Sequence, residues 1–411
     1  MEDRESSLFK PEYQVRLSPW ARSTTYNEIE RFLRKYDDEC KALNDEIIRY
    51  YKENKQPEWE YRCKVEFKRK VEACIGRGIQ RPFRIVITGS TVSGVGTCNS
   101  DIDLCLCSPG IIGKVADAYE NQYERKRRLR HMLLKCRSLL LMERDQLGLT
   151  DIDYVDAMIP LIKFKGVNID EKTGNIFNIE GDLSISNDMF ISGLHNSFLI
   201  CGYTKFDPRF APLVVFVKKW AIASGVHDPQ HRRFNSYTLT LLVIHFLQCG
   251  LPIPVLPNLQ ALFPSQFALS QTNFVPVINF NRVIPTDDSI PELPEGQKNR
   301  MYISHLFVLF LAYYSDAKLN EKVIRIKAGR ISNRKGRVGE GLGDQVEVPH
   351  KHRQSEVYIE DPIDDHNPGR TVDDWQAVRS CFQTALHSFL RVDGGNSPFD
   401  FPTVYDLIST K

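Results

Sequence analysis

The stretch VITGSTVSGVGTCNSDIDLCLC, residues 86–107, constrains the fold more than any other part of the chain. An apolar run at 83–87 reads as a strand, breaks into a Gly/Ser/Thr loop, and resumes at 102–106 as a second strand flanking an acid on each side of Ile102. Side chains alternate along a strand, so Asp101 and Asp103 share one face while Ile102, Leu104 and Leu106 share the other. One face is core and the other carries chemistry. Two carboxylates held this close repel and raise each other's pKa unless a cation lies between them, and a hard divalent ion such as Mg2+ suits oxygen ligands. Gly89-Ser90 follows the first strand and starts a helix, where backbone N–H groups and a hydroxyl hold phosphate. The combination points to metal plus phosphate.

Other readings of these residues fit less well. Asp-x-Asp alone is common on solvated loops and strand edges. GSTVSG begins like a P-loop, but Val95-Gly96 stand where Lys-Ser/Thr is required, and no third glycine completes a dinucleotide fingerprint.

At 411 residues the chain is long enough for two cores. Its 54 Lys+Arg against 52 Asp+Glu lack the strong positive charge of proteins that grip duplex DNA by counterion release, so any nucleic-acid binding is local or borrowed. Ten cysteines at irregular positions offer no zinc spacing and read as reduced core thiols. MEDRESSLFKPEYQ has no apolar segment of a signal peptide, and the longest apolar runs, 239–247 and 306–314, are too short to cross a bilayer. The expectation is a soluble intracellular protein that contacts no membrane, with cytoplasm and nucleus both open.

Helical periodicity predicts two amphipathic helices within 25–75 and a long basic helix over 118–145. A strand pair is expected at 157–164 and 177–185, joined by the turn DEKTGN. From residue 190 the pattern turns helical, at 190–204, 209–224, 236–249 and 300–315. Pro-rich loops are expected at 251–264 and 284–296, and the Gly/Arg/Lys-rich 327–343 reads as a mobile surface loop.

Gly-Ser, about ten residues, then Asp-hydrophobic-Asp-hydrophobic resembles the motif of the DNA polymerase β-like nucleotidyltransferases. From about 80 to about 380 the chain resembles their RNA-tailing branch, the cytoplasmic poly(A) polymerases and terminal uridylyltransferases. The resemblance implies an α+β, two-lobed enzyme. Residues 76–189 would form a mixed-sheet catalytic palm and 190–411 a helical central domain with a nucleotide recognition loop. Residues 1–75 would supply N-terminal helices packing on the central domain. The family's third carboxylate falls on Asp182 in GDLSISN, with Asp153 and Asp156 as the other candidates. Asp101, Asp103 and Asp182 would then bind Mg2+ or Mn2+ and favour deprotonation of an RNA 3′-hydroxyl.

The resemblance also assigns nucleotide-binding positions beyond Gly89 and Ser90. Asn196 in SGLHNSFLI would contact the ribose 2′-hydroxyl. In VVFVKKWA, Lys218 would bind the triphosphate, with Lys219 the second candidate; a further lysine found in some uridylyl members is Ile222 here. In FNSYTLTL, Ser236 would reach a phosphate and Tyr237 would stack on the base. Read singly, each is as well explained by a solvated face or a core position.

EDPIDDHNPGR, 360–370, resembles the recognition motif, with Pro362-Ile363 in place of Pro-Phe. His366 before Asn367 resembles uridylyl members, since an imidazole there crowds a purine and bonds a uracil carbonyl. The length of this loop and the segment LPNLQALFPSQF resemble the poly(A) branch. ATP is the preferred reading and UTP the alternative. RNA 3′ ends would be the acceptor, with an RNA-binding adaptor as partner because no RNA-recognition module is evident; RKRRLR at 125–130 and 325–337 are basic enough to track RNA. Two rivals are a small-molecule nucleotidyltransferase and a catalytically inactive scaffold for adaptors.

Overall fold

A computed structural model describes residues 9–80, 82–107, 122–157, 160–186, 192–267, 298–337, 344–364, 366–390 and 401–409. The expectations for 118–121, 284–296 and 338–343 lie outside the described residues.

Helix α1 (Thr24–Lys35) starts at Ser23, whose hydroxyl accepts the Tyr26 N–H at 3.0 Å. Helix α2 (Asp37–Asn54) opens on Asp37, Asp38 and Glu39, acids that suit the positive end of a helix dipole. Helix α3 (Glu58–Gly78) leads into strand β1 (Arg84–Thr88), the one-turn helix α4 (Ser90–Ser93) and strand β2 (Ile102–Cys107). Next come helix α5 (Gln122–Met142) and strands β3 (Leu149–Val155), β4 (Leu161–Ile169) and β5 (Ile176–Ser186). Helices α6 (Ser192–Phe206), α7 (Phe210–Ala223), α8 (Ser236–Cys249) and α9 (Ile303–Asp316) follow. Strands β6 (Lys322–Arg325), β7 (Arg330–Arg334), β8 (Gln345–Val346) and β9 (Tyr358–Glu360) precede helix α10 (Trp375–Leu390).

The chain divides into two compact units, and the described part of Asn54–Gly202 belongs to one of them. Its five-stranded sheet has the order β1-β2-β5-β4-β3, parallel only between β2 and β5. Ile102, Leu104 and Leu106 of β2 enter the core with Phe67 and Val71 of α3 and Leu133 of α5. At about 1.5–3 kcal/mol for each buried aliphatic or aromatic side chain, this face fixes the strand register. Cys105 and Cys107 point the other way and are covered by Leu194 of α6, so β2 is apolar on both faces beyond Asp103.

The other unit holds the described residues of Met1–Glu53, Tyr203–Ala268 and Ile284–Lys411. Helices α7, α8 and α9 are buried along most of their length. Their rings interlock with one another and with α10: Phe216 of α7 lies 4.8 Å from Phe307 of α9, and Trp220 of α7 5.1 Å from Phe382 of α10. A second sheet, ordered β8-β7-β6-β9, completes the unit.

Several elements differ from the sequence expectation. The N-terminal region forms three helices, and α3 joins the sheet unit because Phe67, Val71, Cys74 and Ile75 enter its core. The boundary expected near residue 76 therefore falls between α2 and α3, and the one expected near 190 falls within α6. Strand β3 was not anticipated, since Asp151 and Asp153 dilute its apolar signal. The strand expected at 157–164 begins at Leu161. The loop expected at 327–343 contains strand β7, whose polar sequence RISNR is held by its ladder to β6 and by Arg334. That guanidinium is 2 % exposed and donates to the carbonyls of His352, Arg353 and Ser355.

Candidate active site

In the sheet unit, the parallel pairing of β2 with β5 places Asp103 directly opposite Asp182. Adjacent strands lie about 4.8 Å apart, so both carboxylates rise from the same face as neighbours. Asp101 stands two residues before Asp103, on the same side, just ahead of β2. Gly181 makes the close pairing possible: a Cβ there would meet the Ile102 carbonyl oxygen at 2.1 Å. The row continues across the sheet as Thr88, Asp103, Asp182, Lys163 and Asp153.

Asp153 thus shares the face but is separated from Asp182 by Lys163. Asp156 instead pairs with Lys126 at 2.8 Å. A cavity of about 530 Å3 beside the row is lined by Asp101, Asp182, Asp153, Asp151, Lys163 and Lys165, among others.

Charge and burial bias these acids. Burial is the largest cause that holds Asp182 above the usual carboxylate range; Lys163 opposes it and the charge of Asp101 adds to it. Asp101 is raised by burial first and then by Glu180, against the cations Lys64, Lys163 and Lys165. The three acids are gathered by register rather than by contact. Among the described residues, the one trio of ligand atoms lying within 4.8 Å of one another belongs to Asp361, Asp364 and His366.

Two observations fit the acid trio to a divalent cation. Its donors are carboxylate oxygens whose charge the fold compensates only in part. Gly89, at φ +73°, also lets the Asp103 carboxylate lie against the turn, since a Cβ there would be 1.9 Å from it. The Gly89 N–H is not free for phosphate: it donates to Ser197 Oγ at 2.7 Å, and Ser197 in turn donates to the Gly193 carbonyl. Any phosphate role in this turn rests on Ser90, which opens α4 and is half-buried.

Asn196, on α6 in the same unit, is 7 % exposed, and its Oδ1 has no hydrogen-bond partner among the described residues. A buried acceptor left without a donor carries a desolvation penalty of about 1–3 kcal/mol, which a ligand hydroxyl relieves.

The helical unit carries the remaining predicted residues. Lys218 and Lys219 lie half-buried toward the end of α7. Ser236 and Tyr237 open α8, capped by Asn235, whose side chain accepts the Thr238 N–H at 2.8 Å. Ser236 Oγ lies 3.0 Å from His227 Nε2. The Tyr237 hydroxyl donates to Asp361 Oδ2 at 2.8 Å, and His366 Nε2 stands 3.6 Å from the same oxygen. The other ring nitrogen of His366 bonds Asp364. Burial works against charge on this ring, but the Asp364 bond and the two carboxylates outweigh it and raise its pKa. Asp361 itself is 3 % exposed and accepts the N–H groups of Ile363 and Asp364.

Sequence reading missed Lys163, Asp361, His227 and Ser197. Lys163 alternates with apolar Ile162 and Phe164 and was legible as a charged face, though not as a neighbour of Asp182. Ser197 sits beside Asn196 in a segment already singled out.

Residues 43–205 match the family model described as poly(A) RNA polymerase, mitochondrial-like, central palm domain. The chain is similar to poly(A) RNA polymerase GLD2 of Homo sapiens, 28 % identical over 337 residues, covering 80 % of this chain and 59 % of that protein. Poly(A) RNA polymerase gld-2 homolog A of Drosophila melanogaster is 25 % identical over 377 residues, covering 88 % of this chain and 24 % of that protein. The chain therefore spans between about a quarter and six-tenths of these relatives' lengths. In fold it is similar to the GLD-2/RNP-8 complex structure (TM-score 0.65, 23 % identity, 90 % of this chain and 98 % of that one). The Cid1 poly(U) polymerase in its MgGTP-bound structure is alike as well (TM-score 0.63, 23 % identity, 90 % and 99 %). By the palm-domain match over residues 43–205 and by these relatives, the chain is similar to the RNA-tailing nucleotidyltransferases, and its fold is like theirs.

Proposed function

We propose that the protein is a template-independent RNA 3′-terminal nucleotidyltransferase that adds AMP from ATP, a poly(A) polymerase acting in the cytoplasm. The observation that carries this reading is the register that sets Asp103 beside Asp182, with Asp101 on the same face and Gly89-Ser90 adjoining. Asp101, Asp103 and Asp182 would hold Mg2+ or Mn2+. When bound, the ions supply positive charge that favours the deprotonated 3′-oxygen and stabilises the pyrophosphate leaving group. The RNA 3′-oxygen bonds the α-phosphorus, the bond from that phosphorus to the oxygen bridging to the β-phosphate breaks, and pyrophosphate leaves with the electron pair.

In the sheet unit, Asn196 Oδ1 would accept from the ribose 2′-hydroxyl and so favour ribonucleotides. In the helical unit, Lys218 and Ser236 are the residues for phosphate oxygens, with Lys219 as the second lysine, and Tyr237 is the ring for the base, its hydroxyl fixed by Asp361. An RNA-binding adaptor brings the transcript, in keeping with a fold relative solved as a GLD-2/RNP-8 complex. No described helix is long and apolar enough to cross a membrane.

ATP is favoured by relatives that are poly(A) RNA polymerases. One observation favours UTP instead. His366 faces a carboxylate from each ring nitrogen and is held toward its charged, donor-only form. A donor there suits the O4 acceptor of uracil and opposes the 6-amino group of adenine.

Extension of a short RNA with each of the four nucleoside triphosphates in turn, plus Mg2+, decides the matter. AMP addition is expected. UMP addition that weakens as pH rises through the elevated His366 pKa establishes the second reading, and no addition with any triphosphate removes both.

A further inference from the structure

In the sheet unit, α3 buries an ion pair. Glu60 and Lys64 are 2 % and 1 % exposed, with Nζ 2.9 Å from Oε1. The ammonium also reaches Gln56 Oε1 at 2.8 Å, the Ser100 carbonyl at 2.6 Å, Ser100 Oγ at 3.0 Å and Thr91 Oγ1 at 3.4 Å. Thr91 lies in α4, next to Ser90, and its hydroxyl donates to the Asp101 carbonyl at 3.4 Å. Gln56 reinforces the link by donating from Nε2 to the Thr91 carbonyl at 3.3 Å. On the other side, Glu60 Oε2 accepts the Asn99 N–H at 3.0 Å. Asn99 adopts φ +57°, a left-handed conformation disfavoured outside glycine, two residues before Asp101.

One buried cation therefore ties the turn after Gly89 to the segment that delivers Asp101. A pair of this kind adds little to stability, because burying two charges offsets their attraction, and apolar replacement of both is often neutral. Its oxygens are instead concentrated on the two backbone segments whose relative placement sets the acid face. Its positive charge also counts among those that lower the Asp101 pKa.

We propose that Lys64, oriented by Glu60, is a positioning residue that holds Asp101 in register with the Gly89-Ser90 turn, so that replacing the pair together weakens metal binding and turnover rather than folding. This inference rests on the reading of the acid trio as a metal site.

The test uses the full chain with Glu60→Gln/Lys64→Met, which removes both charges together, and with Thr91→Val, a near-isosteric change that removes only the hydroxyl between Lys64 and Asp101. Thermal unfolding, Mn2+ binding by titration calorimetry, and kcat and KM for RNA extension are measured for each. The double variant is expected to bind Mn2+ at least ~10-fold more weakly and to lose ~100-fold in kcat, the scale of a 1 Å misplacement. Its nucleotide KM should change less than about threefold and its Tm by a few degrees. Thr91→Val should lower kcat about fivefold or more without loss of fold. Unchanged Mn2+ affinity and kcat in a folded double variant overturn the proposal. Should the double variant not fold, unchanged kcat and Mn2+ affinity in Thr91→Val overturn it instead. If the wild type extends no RNA, the catalytic reading fails, while the Mn2+ comparison still decides whether Lys64 positions the acids.

Discussion

Gly89 shows how narrowly the acid face is specified. Its φ of +73° and the 1.9 Å that would separate a Cβ from the Asp103 carboxylate leave no room for a side chain. Gly89→Ala is expected to cut RNA extension by about 100-fold through displacement of Asp103, with a backbone conformation (φ +73°, ψ −153°) essentially confined to glycine adding about 1–3 kcal/mol of destabilisation. Single-turnover extension alongside a melting curve separates the two effects. Asp182→Asn should be more severe. Loss of several kcal/mol of charge stabilisation in the transition state lowers the rate by roughly 1,000-fold or more. A variant that keeps a tenth of wild-type activity removes Asp182 from the chemistry. Asn196 has a different signature. On the proposed role of its buried acceptor, Asn196→Ala should erode the preference for ribo- over deoxyribonucleotides by about 10–100-fold. Competition between ATP and dATP reads this directly, and an unaltered ratio takes the sugar contact elsewhere.

At the scale of elements, α8 carries its own pH liability. His245 is fully buried, its Nε2 lies 2.9 Å from the Tyr313 hydroxyl, and desolvation pushes its pKa down from 6.5 to about 3. The unfolded chain therefore binds a proton on this ring that the folded chain refuses until about pH 3. Stability contributed by the neutral ring is full above pH 6.5 and declines as pH falls from there toward 3, at about 1.4 kcal/mol per pH unit. His245→Gln should flatten this part of the stability curve, as measured by denaturant unfolding between pH 4 and 7. An unchanged slope assigns the acid sensitivity to other groups. Strand β2 behaves otherwise: Leu104, buried in the sheet core, is expected to cost about 2–5 kcal/mol on replacement by Ala, with no pH dependence.

The molecule as a whole is nearly neutral, at 54 basic against 52 acidic residues. Its net field does little to attract RNA. Binding of the chain alone to an oligonucleotide should show a shallow dependence on salt, equivalent to about three neutralised phosphates and a log–log slope near −2. A slope steeper than about −5 marks an extended basic track and reduces the need for an adaptor. The alternation of strand and helix patterns, the Asp-x-Asp strand and the Gly-Ser turn were all legible in the sequence because their signals are local: period-two alternation, a glycine at a positive φ, an apolar run. Strands β3 and β7 were not legible, since a strand with acids at two of its seven positions, or arginines at two of its five, is defined by its partners rather than its own composition.

The sequence by itself determined that Asp101 and Asp103 share a face, because backbone geometry makes residues two apart on a strand point the same way. It could nominate Asp182 only through resemblance. That Asp182 lies opposite Asp103 depends on a parallel pairing between strands about 80 residues apart, closed at Gly181 by backbone approach. The same holds for Lys163 beside Asp182 and for Lys64 beneath Asp101. Which charges face one another across a sheet or through a core is fixed by long-range register and burial, and no local pattern encodes it.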